Sequence, residues 1–209
     1  ALTHQLRKSG QGVHALKPVL SGYEDVDAQT SDSGIILSAL GKDATPEAVA
    51  RITPWRFAAP LSPDMAASRE DRAIDFAALC DFCRDRIIEA AAKNETALIE
   101  GVGGVLVPLT GGDTVADWIG ALDVKPVLVV GSYLGALSHG LTAWETMNTH
   151  GIPPVSVIIS QSSDAPVALD ETAATLARFL PAIPIVALPR LAPAARVWET
   201  APDLLSALV

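Results

Sequence analysis

Short apolar segments alternate with longer stretches of helical periodicity along most of this chain. This alternation constrains the fold more than any other feature, because it is typical of parallel strands joined by crossover helices. The segments predicted as strands are GVHALKPV (12–19), TALIEG (96–101), KPVLVVG (125–131), PVSVIIS (154–160) and IPIVAL (183–188). Helices are predicted at about 31–41, 70–93, 113–122, 138–150, 168–180 and 199–208.

Most of the predicted strands are apolar on both faces, which is expected when helices cover each side of a sheet. We therefore predict the α/β class, with a mostly parallel sheet and helices on both faces. With 209 residues, the chain is most simply a single domain, able to bury roughly 70% of the surface that its unfolded form exposes. Residues 42–69 are rich in proline and polar residues. We expect them to cross the carboxyl edge of the sheet, where open α/β sheets bind ligands.

The charge and hydropathy of the chain exclude several classes of partner. A formal net charge of −9 and a pI near 4.8 argue against nucleic acid, since binding to phosphate backbones needs clustered lysine and arginine. The apolar runs are far shorter than the roughly 20 residues that cross a bilayer, and the amino terminus lacks a signal-peptide core. These observations predict a soluble, cytoplasmic protein that has no membrane partner and binds a small molecule.

The two cysteines, Cys80 and Cys83, form a C-x-x-C motif that would be compatible with redox chemistry. They lie in the middle of DRAIDFAALCDFCRDRIIEAAAKN, where apolar residues such as Phe76 and Ile87 recur at helical spacing. Reactive pairs occupy an electropositive helix amino terminus, and two cysteines cannot complete a structural zinc site. We therefore predict buried core thiols.

Polar residues follow several predicted strands. Lys17 closes the first strand and is either an exposed strand-end charge or an anion-neutralising group aimed at a substrate. Asp32, in TSDSG, stands where a helix should begin, and amino-terminal capping is the simpler interpretation. Glu100 ends an apolar strand, where a carboxylate costs desolvation unless it meets a metal, an arginine or several N–H donors. Since Mg²⁺ takes only one or two carboxylates plus phosphate oxygens and water, Asp32 and Glu100 form a candidate metal pair.

The segment GSYLGALSHG follows another predicted strand and opens a helix near Leu137. Free N–H groups at a helix start favour an anion such as a substrate carboxylate. His139 lies in this segment, but no carboxylate or nucleophile stands beside it in the sequence, so it is assigned no role. The chain has no G-x-S-x-G, H-E-x-x-H, EF-hand or RNA-binding motif, and GVGG is wrongly spaced for a dinucleotide fingerprint. A serine hydrolase, a metalloprotease and a dehydrogenase are therefore without support.

Six motifs, taken together, resemble the dethiobiotin synthetase family. They are KPVLSG (17–22), SD (31–32), PLSP (60–63), IEGVGGVLVPL (99–109), VADW (115–118) and VLVVGSYLGALSH (127–139), and their order and spacing also match. The resemblance covers essentially the whole chain. It implies a P-loop NTPase-like fold and a homodimer that closes the ureido ring of dethiobiotin from 7,8-diaminononanoate, CO₂ or bicarbonate, and ATP, with Mg²⁺ as the cofactor.

The resemblance also implies roles for individual residues. Lys17 is the active-site lysine, and Asp32 and Glu100 hold Mg²⁺ and nucleotide. The diamine contacts Ser21, and its carboxylate lies at the helix start around Gly135 and Ser138, which the partner subunit supplies. The remaining nucleotide-binding residues are Gly101, Val102 and Gly103 along the phosphates and Ser160, Gln161, Pro189, Arg190 and Leu191 at the base.

The phosphate loop of that family, G-x-x-x-x-G-K-[ST], has no counterpart in the sequence. The chain begins at ALTHQLRKSG, which resembles the middle of the helix that follows such a loop. We therefore expect a strand, the loop and the first helical turn to precede Ala1, and an intact mass well above 21.8 kDa. Two alternatives stay open: a nucleotide-binding regulatory or interaction module without turnover, and a related P-loop synthetase that acts on another acid.

Overall fold

The computed structural model describes residues 1–181, 183–193 and 196–208. Its helices are α1 (Leu2–Lys8), α2 (Asp32–Ala39), α3 (Pro46–Ile52), α4 (Pro63–Ser68), α5 (Phe76–Ala92), α6 (Val115–Leu122), α7 (Ala136–Thr149) and α8 (Leu169–Ala177). Its strands are β1 (Val13–Leu16), β2 (Val19–Ser21), β3 (Trp55–Phe57), β4 (Thr96–Ile99), β5 (Val127–Val130), β6 (Ser156–Ser160) and β7 (Ile185–Leu188). Short 3-10 helices lie at Asp25–Asp27, Val197–Thr200 and Leu205–Leu208.

The strand pairs of the described residues are parallel. β1 pairs with β4, β2 pairs with β3, and β6 lies between β5 and β7. At least one helix separates the two members of each pair along the chain, as the alternating pattern predicted. The residues form two compact units, one of residues 1–5 with 123–209 and the other of residues 6–122. The predicted α/β class with parallel strands is confirmed.

The unit of residues 6–122 has its core beside β1 and β4. One cluster of buried side chains comes from β1, β2, α2, α3 and the loop between β2 and α2: Leu16, Leu20, Tyr23, Ala28, Leu37, Val49 and Ile52. The long helix α5 packs on β1 and β4 and buries Cys80 and Cys83. A buried hydrogen bond of 2.6 Å joins the hydroxyls of Ser33 and Thr53. It ties the first turn of α2, which carries Asp32, to the end of α3.

The unit of residues 1–5 and 123–209 is organised around β6, of which four of five residues are buried. Helix α7 packs on β5 and α8, and α8 contacts β7. The carboxyl-terminal segment is held by side chains. Ser156 Oγ donates to the carbonyl oxygen of Ala207 at 2.5 Å, and Gln5 Oε1 accepts from the N–H of Leu204 at 2.9 Å. These bonds fix the segment although it forms no regular α-helix.

Proline divides the first predicted strand, 12–19, into β1 and β2. Pro18 has no N–H to continue a ladder, and the two halves pair with different strands. Between them, the N–H of Lys17 donates to Ile52 O and the carbonyl oxygen of Pro18 accepts from the N–H of Trp55, both at 3.1 Å. Lys17 therefore lies at the point where the chain passes from the β1–β4 pair to the β2–β3 pair, and backbone hydrogen bonds hold it there.

The predicted helix at 199–208 is wrong, because Pro202 interrupts it. The residue before a proline is driven towards extended backbone, and Ala201 has φ −64° and ψ 142°. The segment forms two 3-10 helices instead, one on each side of the break.

Residues 42–69, expected to be an excursion across the sheet edge, contain two helices and a strand. Thr45 caps α3 with its hydroxyl, and Pro46 occupies the first helical position, where its missing N–H costs nothing. The helix predicted at 70–93 begins later, because Asp75 is its N-cap. Local capping residues, rather than apolar spacing, decide where these helices start.

Gly34 generates a prediction about the stability of α2. A side chain at this position would collide with the backbone of Ala28 and Gln29. We expect Gly34→Ala to lower the free energy of unfolding by about 1 to 3 kcal/mol, the usual cost of overpacking, in urea unfolding followed by circular dichroism. Gly111→Ala is the control, because nothing lies within 4 Å of a Cβ there. Equal stability of the two variants would contradict this packing.

Candidate functional site

A lysine and a carboxylate meet at the carboxyl end of β1 and β4. The parallel register places Leu16 opposite Ile99. Lys17 and Glu100, the next residues along, therefore leave the sheet at the same edge. Lys17 Nζ donates to Glu100 Oε1 at 2.7 Å and to the carbonyl oxygen of Gly101 at 2.8 Å. Two predicted site residues that are 83 positions apart are thus in direct contact.

Asp32 completes this group, which we call the Lys17 cluster (Lys17, Asp32, Glu100). Its Oδ2 atom lies 3.2 Å from Lys17 Nζ. The capping interpretation of Asp32 is wrong, because Ser31 is the N-cap: its backbone is extended and its hydroxyl accepts from the N–H of Gly34 at 3.1 Å. Asp32 is the first helical residue, where the helix dipole stabilises negative charge. Its carboxylate therefore contacts Lys17 instead of the helix start.

The charges of the Lys17 cluster are unequally exposed. The side chain of Lys17 is 6% exposed, whereas those of Asp32 and Glu100 are 51% and 53% exposed. Lys17 is thus not an exposed strand-end charge, and Glu100 is not a buried carboxylate. A buried ammonium requires compensating partners; Glu100 and Gly101 accept hydrogen bonds from it, and Asp32 adds an ion pair at 3.2 Å. Two carboxylates against one ammonium leave one net negative charge, which attracts a cation.

Gly101, Val102 and Gly103 form the loop that leaves β4 beside Lys17. Gly101 is exposed and Val102 is half-buried. Gly103 has φ +64°, a conformation that favours glycine, and a Cβ there would lie 2.7 Å from Val107 Cγ2. The loop therefore folds back tightly and presents backbone beside the Lys17 cluster.

Ser21 ends β2, and its hydroxyl oxygen is buried with no hydrogen-bond partner in the described part of the chain. Buried polar atoms are nearly always hydrogen-bonded. A ligand that donates to or accepts from this hydroxyl would therefore satisfy it.

A second group of predicted residues lies at the carboxyl end of β6 and β7. Ser160 ends β6 opposite Leu188, the last residue of β7. The N–H of Gln161 donates to Leu188 O, and Gln161 Oε1 accepts from the N–H of Arg190, both at 2.9 Å. The candidates on the second loop follow β7 directly: Pro189, Arg190 and Leu191. The structure thus brings the predicted base-site residues together in two neighbouring loops.

Helix α7 begins close to the predicted position. Gly135 is its N-cap, with φ +98° and no side-chain capping bond, so first-turn N–H groups are left for another acceptor. Ser138 is exposed in this turn. His139 is also exposed, and its Nδ1 lies 2.9 Å from the hydroxyl of Tyr133. The helix start therefore has the features that suit an anion.

Ser132 and Ser162 are absent from the predicted site residues, yet they join two loops beside the second group. Each backbone N–H donates to the other residue's hydroxyl, at 3.1 Å for Ser132 N and 2.9 Å for Ser162 N. A signal existed in the sequence, since each serine is the second residue after a strand that ends at the same sheet edge.

The cysteines are core thiols, as predicted. Cys80 and Cys83 are 3% and 0% exposed, and neither forms a disulfide. Burial raises the pKa of Cys83 to about 12 and also raises the pKa of Cys80. Because the thiolate is the reactive form, these residues are unsuited to redox chemistry.

The described residues hold no group of three or more histidine, cysteine, aspartate or glutamate side chains placed to bind one metal ion. A cation at the Lys17 cluster would therefore have two protein carboxylates as ligands. Among the same residues, no helix combines the length and apolar character needed to span a membrane.

The fold and its strand-end loops define the class of this protein. Parallel α/β units that carry polar residues at the carboxyl ends of their strands are typical of nucleotide-binding domains. A family model described as an AAA domain matches residues 1–196. The chain thus belongs to the α/β proteins of the P-loop NTPase class.

Its relatives narrow the class to one family. The ATP-dependent dethiobiotin synthetase BioD of Methylobacterium nodulans is 47% identical over 181 residues, which cover 85% of this chain and 80% of the relative. The enzyme of the same name from Acidiphilium cryptum is 47% identical over 171 residues, covering 81% of this chain and 75% of the relative. The enzyme of the same name from Caulobacter strain K31 is 43% identical over 191 residues, which cover 91% of this chain and 80% of the relative. The chain belongs to the ATP-dependent dethiobiotin synthetase family and is an enzyme of biotin biosynthesis.

The buried thiols generate a prediction about reactivity. We expect Cys80 and Cys83 to react with 5,5′-dithiobis(2-nitrobenzoate) only after unfolding, because burial raises the pKa of both thiols. The measurement is the number of thiols titrated at pH 8 with and without denaturant. Rapid reaction of either thiol in the folded protein would contradict their assignment to the core.

Proposed function

We propose that this enzyme closes the ureido ring of dethiobiotin from 7,8-diaminononanoate, CO₂ or bicarbonate, and ATP, and that the Lys17 cluster is its phosphoryl-transfer site. The observation that carries the proposal is the placement of Lys17 Nζ, 2.7 Å from Glu100 and 3.2 Å from Asp32 at a parallel sheet edge. Phosphoryl transfer depends mainly on positioning and on neutralising charge. A held ammonium beside two accessible carboxylates suits both tasks.

Asp32 and Glu100 fit Mg²⁺ in its nucleotide-bound form. Each carboxylate is about half exposed and places one oxygen, Oδ2 or Oε1, on Lys17. We assign the other oxygen of each carboxylate to the cation. Mg²⁺ usually takes one or two carboxylates and completes its shell with phosphate oxygens and water. When bound, it would neutralise charge on the transferring phosphoryl group.

Two sets of residues are assigned to ATP. The loop of Gly101, Val102 and Gly103 is assigned to the phosphates, because glycines let its backbone approach a ligand closely. The base is assigned to the loops that follow β6 and β7: Ser160, Gln161, Pro189, Arg190 and Leu191. The bond between the Gln161 side chain and the N–H of Arg190 supports this assignment, since it holds the two loops in one arrangement.

The diamine is assigned to Ser21 and to the start of α7. The hydroxyl of Ser21, which has no hydrogen-bond partner among the described residues, can bond to a substrate amine. The open helix start around Gly135 and Ser138 suits the substrate carboxylate, and we assign it to the site of the partner subunit in a homodimer. We further propose that the enzyme acts as a single-domain protomer in the cytoplasm.

The proposed reaction proceeds in three steps. One amine of the diamine attacks CO₂ and loses a proton, which gives a carbamate. A carbamate oxygen attacks the γ-phosphorus of ATP, the bond to the bridging oxygen breaks, and ADP leaves. The second amine then attacks the carbonyl carbon of the carbamic-phosphoric anhydride, phosphate leaves, and the ring closes with loss of a proton. No protein atom forms a covalent bond in this sequence.

Lys17 supplies a preorganised positive charge in these steps. Its ammonium is already buried and oriented, so little reorganisation is needed when negative charge builds on the phosphoryl oxygens. Glu100 and Gly101 accept hydrogen bonds from the ammonium, and Asp32 contacts it as an ion pair. The contact to Asp32 is the longest, at 3.2 Å. We therefore assign Asp32 as the partner that yields when ATP binds.

Removing the Lys17 ammonium tests the proposal directly. We expect Lys17→Ala to reduce diamine-dependent ADP release by at least about a hundredfold and to leave the fold intact, because the two half-exposed carboxylates can be hydrated. The measurement is ADP release with Mg-ATP and bicarbonate, with and without 7,8-diaminononanoate. Diamino derivatives of other carboxylic acids are tested in its place to check the substrate. Lys93→Ala is the control, since that ammonium pairs with Glu89 at 3.0 Å on the surface. Wild-type turnover of Lys17→Ala would remove Lys17 from this role.

The metal assignment makes a separate prediction. We expect Glu100→Gln to raise the Mg²⁺ concentration for half-maximal rate by at least about tenfold, because one anionic ligand is lost. The measurement is a Mg²⁺ titration of ADP release at fixed ATP. Glu95→Gln is the matched control, since Glu95 precedes the same strand and pairs with His14 at 2.7 Å. Equal Mg²⁺ requirements in the two variants would rule out Glu100 as a ligand.

A further inference from the structure

Two serines join the loops that follow β5 and β6 by a reciprocal pair of hydrogen bonds, which we call the serine clasp (Ser132 and Ser162). The N–H of Ser132 donates to Ser162 Oγ at 3.1 Å, and the N–H of Ser162 donates to Ser132 Oγ at 2.9 Å. Ser132 is 2% exposed. Each hydroxyl therefore satisfies a backbone donor of the other loop.

The clasp begins where the backbone ladder of β5 and β6 stops. The last paired residues of the two strands are Val130 and Ile159. Beyond this pair, the serine side chains connect the loop after β5 to the loop after β6. A Cβ on Gly131 would lie 3.1 Å from Ser162 Oγ and 2.7 Å from the ring of Tyr133. The close approach of the loops therefore depends on glycine at this position.

The clasp also restrains Gln161, the residue next to Ser162. The N–H of Gln161 donates to Leu188 O, and its side-chain oxygen accepts from the N–H of Arg190. The loop after β6 is thus fixed on one side to the loop after β5, by the clasp, and on the other side to the loop after β7. Without the clasp, the bonds to Leu188 and Arg190 are those that remain to position Gln161 among the residues that the structure describes.

We propose that the serine clasp is a positioning device that holds the Gln161 loop in the arrangement that receives the nucleotide base. This inference rests on the base site proposed above. It assigns to Ser132 and Ser162 no contact with reacting atoms. Loss of the clasp therefore weakens the capture of ATP, while the chemical step at the Lys17 cluster keeps its rate.

The experiment compares Ser162→Ala, Gln161→Ala, their double variant and Ser162→Thr in steady-state kinetics. We expect Ser162→Ala to raise KM for ATP about three- to tenfold, the range that one neutral hydrogen bond supplies, with kcat within about twofold. Ser162→Thr keeps the hydroxyl and should restore KM. Ser163→Ala is the matched control, because Ser163 is the next residue, is exposed and lies outside the clasp.

The double variant distinguishes positioning of Gln161 from a general structural effect. If the clasp acts through Gln161, adding Ser162→Ala to Gln161→Ala should leave KM for ATP nearly unchanged, whereas independent effects would multiply. Multiplying effects overturn the inference, as does a Ser162→Ala enzyme that matches Ser163→Ala. Should Ser162→Ala fail to fold, Ser132→Ala removes the other half of the clasp for the same measurements.

The outcomes also separate this inference from the proposed function. If Gln161→Ala raises KM for ATP and Ser162→Ala does not, the base site stands and the clasp inference fails. If Gln161→Ala leaves KM for ATP unchanged, the base-site assignment fails, and the clasp inference fails with it.

Discussion

The burial of one ammonium group governs the arrangement of the residues at the carboxyl end of β1 and β4. Pro18 ends the first strand, so Lys17 lies between two parallel strand pairs, β1–β4 and β2–β3, and its side chain has little access to solvent. Such a charge is tolerated only with close partners, and Glu100, Gly101 and Asp32 supply them. Ser31, rather than Asp32, caps α2. The Asp32 carboxylate is therefore available to contact Lys17.

In the unit of residues 1–5 and 123–209, a different kind of interaction holds the strand-end loops in place. Among the described residues of this unit, no charged side chain is buried. Neutral hydrogen bonds set the positions of its loops: the serine clasp on one side of Gln161 and the N–H of Arg190 on the other. These bonds extend the parallel register of β5, β6 and β7 beyond the last ladder pair. A network of this kind fixes the loops without the desolvation cost of an ion pair.

The sequence predicted the strands of this fold better than the ends of its helices. Apolar runs mark β4, β5, β6 and β7, most clearly β6, where four of five residues are buried and burial leaves little choice of residue. The ends of helices depend on single capping residues and prolines, which apolar periodicity does not register. Thr45 and Asp75 start helices at positions that periodicity did not predict, and Pro202 abolishes one that it did.

The sequence by itself determined the class, the family resemblance and the identity of the residues at the strand ends, because these depend on local patterns and on their order along the chain. The tertiary structure decided which of those residues meet. Lys17 and Glu100 are 83 positions apart, and Ser132 and Ser162 are 30 apart. Their contacts follow from strand register, which no local pattern encodes. The tertiary structure also decided how exposed each side chain is. Lys17 is buried, whereas Asp32 and Glu100 are accessible to solvent, because of the residues that pack around them.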